Sequence, residues 1–544
     1  MHILILDPSS HLLNFSLLGH KETRLRLNAF ETPLQTILAS LPAPPDCIIQ
    51  QESLAERHFV SGLEHAPCPT FFFSFDTHLN LFWHQHYARL FDAVLTPHPS
   101  IFATLPKEDA LAHVFHFSHT GYDLPWVPHT QRPHNCGFCG RITKERPIRA
   151  GMLEILQKEF PVTFRDDLTV DEMFAFYTES RIVPNEALCL ETNCRLFEAA
   201  SAGAAILTQD CGPDQTAAFT DGKEMLVYTD GLDLLEKARW LEQHPTQAEQ
   251  MGKAARERVQ CDHLPQHRAA TVLRLLPRIA QARAVGTDAS LAWWLTLVER
   301  TTSGDMRIPV KRLLRESETL PQTPAMLTGL LRLLGKPTRR EDALGLCQAL
   351  LQANLFPESD LCNATASACG LHHGELSLAT TFWQRHARKN AMPLPEAATP
   401  FSLCLAWAKS EHRAGRCVRP GFSFLPEHGL LPACALEFLL FAKEMAAQYG
   451  LSGCDADEAC IALLEKHPAY ASYRLHLLTR GEKNSRPWQR NLDIAALALR
   501  CCRLDTGQKA FLMAQEDAER RGENEAFSIA LAASPARAYT QWKP

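Results

Sequence analysis

Asn193–Gly222 reads NCRLFEAASAGAAILTQDCGPDQTAAFTDG: a short helix, a small apolar strand and a second helix start follow one another without a break. Asn193 is a favoured N-cap, and the helix it opens runs through Arg195, Leu196, Phe197 and Glu198 to a run of alanines that stops at Gly203, a favoured C′ residue. Amides at the start of such a helix carry partial positive charge, so a diphosphate suits them, with Arg195 adding a bidentate fork. Glu198, three residues on, lies close to the same face, and an ionised carboxylate that only accepts hydrogen bonds suits a pair of ribose hydroxyls. The alternative is an i,i+3 surface ion pair between Arg195 and Glu198 on an ordinary amphipathic helix. Ala204–Thr208 reads as a buried parallel strand, and the loop Gln209–Gly212 then falls where ligands of open α/β sheets bind, outside the carboxyl ends of the strands. Pro213 fits the first position of the next helix, leaving amides near Asp214 and Gln215 for a sugar or phosphate oxygen.

Working outward, apolar runs at residues 2–7, 47–49, 70–75, 93–96 and 113–117 alternate with helical or loop segments, as a first Rossmann-like domain requires. VPHTQRP, ending at Pro133, reads as a linker. A second set of strands is expected at residues 136–140, 162–164, 182–183, 204–208 and 225–228, with helices over residues 231–243, 246–260 and 264–282. Beyond Gly286 the alternation stops and helix follows helix. The expected division is therefore 1–130, 131–285 and 286–544, an α/β plus all-α chain. Within the helical part, Asp360–Arg388 resembles one tetratricopeptide-like helix pair, and Gly507 with Ala510 hints at another; a plain helical bundle is the alternative.

The set Asn193, Arg195 and Glu198, followed by SAGAAILT and DGKEMLVYTD, resembles the C-terminal half of group 1 glycosyltransferases. Within that group it is most similar to the CgeB-type spore-coat glycosyltransferases, whose core motif resembles N-x-R-x-x-E-A-x-A-x-G. Similarity extends to FDAVLTPHPS at Phe91–Ser100 and CGFCGRITKERPIRAGMLEIL at Cys136–Leu156, so it covers about the first half of the chain. The resemblance implies a GT-B fold of two Rossmann-like domains facing a cleft, with a nucleoside-diphosphate sugar held mainly by the second, and transfer without a divalent metal or other cofactor. It implies that Glu198 holds the ribose, that Gly140 and Arg141 lie against the diphosphate, and that Arg146 and Arg195 face the phosphates. Retaining members of the broader group have a second Glu eight positions before the ribose-binding one; here that position is Leu190, with Glu186 and Glu191 nearby.

On the acceptor side, Asp76 stands ahead of three histidines in His78–His86, and histidine titrates where a base for an acceptor hydroxyl should. Asp76 and His84 are the candidates there, with Asp123 a second site; the bland alternatives are a helix surface and a turn before Pro125. His134, Cys136 and Cys139 have metal-ligand spacing at one end, but no second pair at matching spacing, and both cysteines fall on an expected core strand, which favours buried thiols. Trp293 and Trp294 are expected at a seam between the α/β and helical parts.

Composition narrows the class. With 46% hydrophobic and 21% charged residues the 544-residue chain is ordinary globular protein, and a net charge of −6 leaves no broad basic field for nucleic acid. No stretch approaches the roughly twenty apolar residues of a membrane span, and the N-terminal apolar run has no basic region before it, so a cytoplasmic setting is expected, with the eighteen scattered cysteines reduced. The expected partners are a nucleotide-sugar donor and a glycan or protein acceptor on the cell envelope or surface, with the helical part recruiting that acceptor or another protein.

Overall fold

Continuous runs of β-branched and aromatic residues, too apolar to leave a face in water, give two parallel sheets. In the computed structural model, which describes every residue except 9–11, 54–57, 280–281, 305, 391–398, 420–429, 481–485 and 543–544, the strands are thirteen. They are β1 (His2–Leu6), β2 (Lys21–Leu25), β3 (Glu31–Pro33), β4 (Cys47–Gln51), β5 (Phe59–Ser61), β6 (Thr70–Phe73), β7 (Ala93–Thr96), β8 (Val114–His116), β9 (His134–Cys139), β10 (Val162–Arg165), β11 (Ser180–Asn185), β12 (Ala205–Gln209) and β13 (Leu226–Tyr228). The first sheet has the order β2-β1-β4-β6-β7-β8 and the second β10-β9-β11-β12-β13, while β3 and β5 pair by themselves. Both main orders run outward in two directions from a starting pair, β1/β4 and β9/β11, which is the doubly wound pattern with a switch point between those strands. The α/β plus all-α class expected from the sequence is thus what the chain adopts, with both Rossmann-like sheets present.

The chain divides into two compact units: Met1–Pro8, Glu22–Phe115 and Leu276–Leu463 form one, and Ser9–Lys21, His116–Leu275 and Leu464–Pro544 the other. This corrects the expected division. The helical residues 286–544 are not one domain, because their last eighty or so cluster with the second sheet rather than with the helices before them, and residues 116–130 leave the first sheet's unit.

In the first unit, β1, β4 and β6 are buried on both faces, and Leu4, Ile48, Phe72 and Val94 share a core with Ala289 and Ala292 of the helix Gly286–Thr302. Trp293 meets Phe59 and Tyr87 edge-on or tilted, while Trp294 is buried and donates its indole N–H to the Leu313 carbonyl at 2.8 Å. The two tryptophans do join helical and α/β parts, as expected. The expected helix pair is present as Asp360–His372 and Leu376–Lys389, turned at Gly374 with φ +77°; Gly370 lets the two approach, since a Cβ there would sit 3.1 Å from the Ala379 nitrogen.

In the second unit the expected helices form at Gly231–Gln243, Pro245–Arg258 and Pro265–Leu275, the first capped by Asp230, which accepts from the Leu232 and Asp233 amides. The third ends earlier than residue 282; residues 280–281 lie outside those described. Gly252 permits the Pro245–Arg258 helix to touch the backbone leading into β12: a Cβ on it would lie 2.2 Å from the Gly203 carbonyl oxygen. A backbone oxygen cannot swing aside, so Gly252→Ala is expected to destabilise the chain by about 1–2 kcal/mol in urea unfolding, overpacking outweighing the gain in helix propensity. An unchanged midpoint would show that the helix shifts freely.

The last helices pack on the same sheet. The Cys502 carbonyl lies 2.5 Å from where a Gly151 Cβ would be, Arg503 donates to the Pro147 carbonyl at 3.2 Å, and Lys158 pairs with Asp505 at 3.0 Å.

Candidate functional site

The helix read from Asn193 runs Cys194–Ser201, with Ala202 as C-cap and Gly203 following in the left-handed region at φ +67°. Leu196, Phe197, Ala199 and Ala200 are buried against β12 and the Pro245–Arg258 helix, which leaves Arg195 and Glu198 half-buried on the remaining side. Asn193 departs from expectation. It has the extended backbone of an N-cap, but its side chain makes no cap bond and its amide instead donates to Asn185 Oδ1 at 3.1 Å and the Glu186 carbonyl at 3.2 Å.

Arg195 occupies the switch point of the second sheet. Its guanidinium donates to Asn185 Oδ1 at 2.8 Å, at the end of β11, and to the Cys139 carbonyl at 3.0 Å, at the end of β9, and stands 4.5 Å over the Phe138 ring. Gly140, at φ +146°, is what admits it: a Cβ there would lie 2.7 Å from Arg195 Nη2. Burial opposes the Arg195 charge, and Tyr177, Glu198 and Glu186 outweigh that, holding the guanidinium above its usual range. The surface-pair alternative therefore fails, because Arg195 is engaged with strand ends rather than with Glu198.

Glu198 is left with an open carboxylate: among the described residues it makes no side-chain hydrogen bond or ion pair. Burial raises its pKa to about 7 against the pull of Arg195. A carboxyl raised in the folded state holds its proton after the unfolded chain has released it, so stability should fall as pH rises from about 4.5 to about 7 and then level off, by up to ~3 kcal/mol. Glu198→Gln should remove that fall. Urea unfolding at pH 5 and pH 8 reads it directly; equal pH slopes in both proteins would place the carboxyl in water.

Around the same strand ends sits a cluster of guanidinium and carboxylate groups. Arg149, buried, bonds Glu186 through Nε at 2.9 Å and the Arg141 carbonyl through Nη1 at 2.9 Å, and Arg146 reaches Glu186 at 3.2 Å and Glu191 at 3.5 Å. Burial, helped by Arg195 and Arg146 and opposed by Glu186, lowers Arg149 to about 10. Arg141 itself is exposed beside Gly140. Gly140, Arg141, Arg146, Asn193, Arg195 and Glu198 thus come together at the carboxyl edge of the second sheet, where doubly wound sheets bind ligands. Arg149 was missed by sequence reading; its signal was the i,i+3 spacing from Arg146 at a helix start.

Next along that edge, Asn185 donates to Thr208 Oγ1 at 3.0 Å, and Gln215 Nε2 donates to the same oxygen at 3.0 Å. Gly212, at φ +84°, gives its amide to Asp210 Oδ1 at 2.9 Å, and Pro213 opens a helix as expected, but that helix is only Pro213–Thr216 and the Gln215 amide is taken by the Gly212 carbonyl. Asp214 is half-buried, and its charge acts on His116.

The acceptor-side candidates fare differently. His84 is 0% exposed, with Nδ1 2.8 Å from Ser74 Oγ and Nε2 3.2 Å from Glu52 Oε1, so it is a core histidine and not a base at a surface. The reason is Glu52, whose buried carboxylate also accepts from the Phe75 and Asp76 amides and from Asn80 Nδ2. Asp76 stays half-buried at the start of the helix Thr77–Tyr87 with no cap bond from its side chain. Asp123 has a side chain 72% exposed, accepting from Gln260 at 3.2 Å and lying 3.9 Å from Arg256. Cys136 and Cys139 are buried on β9, and burial pushes the Cys136 thiol up to about 12.

Residues 144–274 match a family model described as glycosyl transferase-like, a segment that holds Arg146, Arg149, Asn193, Arg195 and Glu198. No curated protein matches the chain by sequence. Among solved structures it is similar to the GtfA/B complex, at 13% identity over 45% of this chain and 59% of that one, with a TM-score of 0.34. It is also similar to a sucrose-phosphate synthase from Thermosynechococcus elongatus, at 10% identity over 51% and 98% of the two chains and a TM-score of 0.38. A third is HepE of Anabaena in complex with UDP, at 11% identity over 51% and 100% and a TM-score of 0.37. The chain thus spans 59% of the length of the GtfA/B chain it matches. No described helix is long and apolar enough to cross a membrane.

Proposed function

We propose that the chain is a GT-B glycosyltransferase that moves a sugar from a nucleoside diphosphate to a glycan or protein acceptor of the cell envelope or surface, and that it is of the CgeB type. The observation that carries this reading is the open Glu198 carboxylate beside Arg195 at the switch point of the second sheet, inside the matched segment. An ionised carboxylate takes two vicinal ribose hydroxyls, and Arg141, Arg146 and Arg195 supply the positive charge that a diphosphate leaving group needs. Because guanidinium groups can neutralise that charge, no divalent metal is required, and transfer should keep most of its rate in EDTA; loss of activity restored by Mg²⁺ or Mn²⁺ would contradict this. The helix pairs of the second half form tetratricopeptide-like units that recruit the acceptor, and the protein works in the cytoplasm.

Mass spectrometry of cell extracts incubated with the purified chain and mixed sugar nucleotides tests the reading: a hexose or N-acetylhexosamine increment on an acceptor is expected. A specific observation supports a second reading, a catalytically silent scaffold. Leu190 stands where retaining relatives carry a Glu, and Glu186 and Glu191 nearby are ion-paired to Arg146. Donor binding with neither transfer nor donor hydrolysis in any extract would favour the scaffold.

A further inference from the structure

The second unit holds another opening on the same edge of its sheet. A crevice of about 770 Å³ lies between the carboxyl ends of β12 and β13 and the helices that close the chain. Two of its carboxylates are committed to backbone, Asp210 to the Gly212 amide and Asp230 to the amides of Leu232 and Asp233. Four others are not. Among the described residues, the side chains of Glu465, Asp493, Arg500 and Arg537 make no hydrogen bond or ion pair, although all four line the crevice. They come from different elements: Asp493 and Arg500 from Trp488–Arg500, Arg537 from the turn Pro535–Thr540, and Glu465 from the start of the unit's last segment.

Two free carboxylates and two free guanidiniums give a wall with as many acceptor as donor forks and no net charge among them. A polyanion or a polycation would meet as much repulsion as attraction there. A neutral ligand with many hydroxyls would satisfy both kinds, since carboxylate and guanidinium each bind vicinal hydroxyls in pairs. Ala496, Ala532 and Ala538 line the same space and offer a flat apolar patch to the C–H face of a sugar ring. The volume leaves room for roughly two or three rings. Burial raises Asp493, with Arg474 opposing and Glu465 adding to the shift, which agrees with its facing into the crevice rather than bulk water.

We infer that this crevice is a binding site for a neutral oligosaccharide, and that it holds the acceptor glycan. The word acceptor rests on the transferase reading; the binding of saccharide does not.

The test is retention of the full chain on an array of neutral hexose and N-acetylhexosamine oligosaccharides of two to six units, with uronic-acid oligosaccharides beside them. Neutral oligosaccharides should be retained, and Arg500→Ala/Arg537→Ala and Glu465→Gln/Asp493→Asn should each cut retention at least tenfold while UDP binding, measured on the same samples, is unchanged. Glu198→Gln should keep its glycans. Retention of none of the neutral glycans, a preference for the acidic ones, or retention indifferent to both double variants would overturn the site. Glycan retention with no binding of any nucleotide would remove the donor reading and leave the crevice standing.

Discussion

Glu198→Ala is expected to weaken nucleoside-diphosphate binding about 100-fold, because two hydrogen bonds to an ionised acceptor, worth ~1.5–3 kcal/mol each before reorganisation, disappear together. Calorimetry with UDP, GDP, ADP and dTDP measures it. The loss should come without unfolding, since the carboxylate makes no bond to the rest of the chain among the described residues, and above pH 7 the variant should be the more stable protein. Binding in the unsubstituted chain should itself weaken below pH 7, where the carboxyl takes up its proton and must lose it again to accept two hydroxyls. A variant that binds as well as the parent would remove Glu198 from the site.

Arg195→Ala should fail in both respects. It strips the Asn185 side chain and the Cys139 carbonyl of a charged donor and opens space over Phe138, so a loss of ~3 kcal/mol in unfolding free energy is expected alongside the loss of diphosphate binding. Arg195→Lys separates the two effects. An ammonium can keep one of the two strand-end bonds but cannot fork, so stability should recover in part while nucleotide affinity stays low. Full recovery of affinity by lysine would mean that Arg195 acts as a point charge, and a stable Arg195→Ala protein would mean that the strand ends find other donors.

Much of the fold was legible because buried parallel strands announce themselves. HILIL, CIIQQ, TFFF and AILTQ have no polar face to hide, and the helix Gly231–Gln243 comes with its own cap in Asp230. The strand KETRL at Lys21–Leu25 was missed for the opposite reason: it lies at the sheet's edge, largely polar, and carries no periodic signal. Division of the helical half between the units could not be read either. It depends on close approaches such as Cys502 to Gly151 and Leu504 to Gly231, where the information is the absence of a side chain on a partner hundreds of residues away.

The site shows the same contrast. Arg195, Glu198 and Gly140 were visible through local pattern, yet why Gly140 is glycine became clear only once Arg195 was seen above it. His84 looked like a surface base because WHQH fits a helix face, but that face turns inward to Glu52, a residue no spacing connects to it. Asn193 kept its place and changed its task, since Asn185 and Glu186 lie closer to its amide than the helix's own N–H groups do.

Hydrogen exchange of the whole chain, followed by mass spectrometry with and without each of the four nucleoside diphosphates, bears most directly on the claim that the β9/β11 edge is a nucleotide site. At least one nucleotide should slow exchange in residues 140–150 and 185–198 together, and Glu198→Ala should abolish the effect. Protection confined to other segments, or none with any of the four, would contradict the assignment.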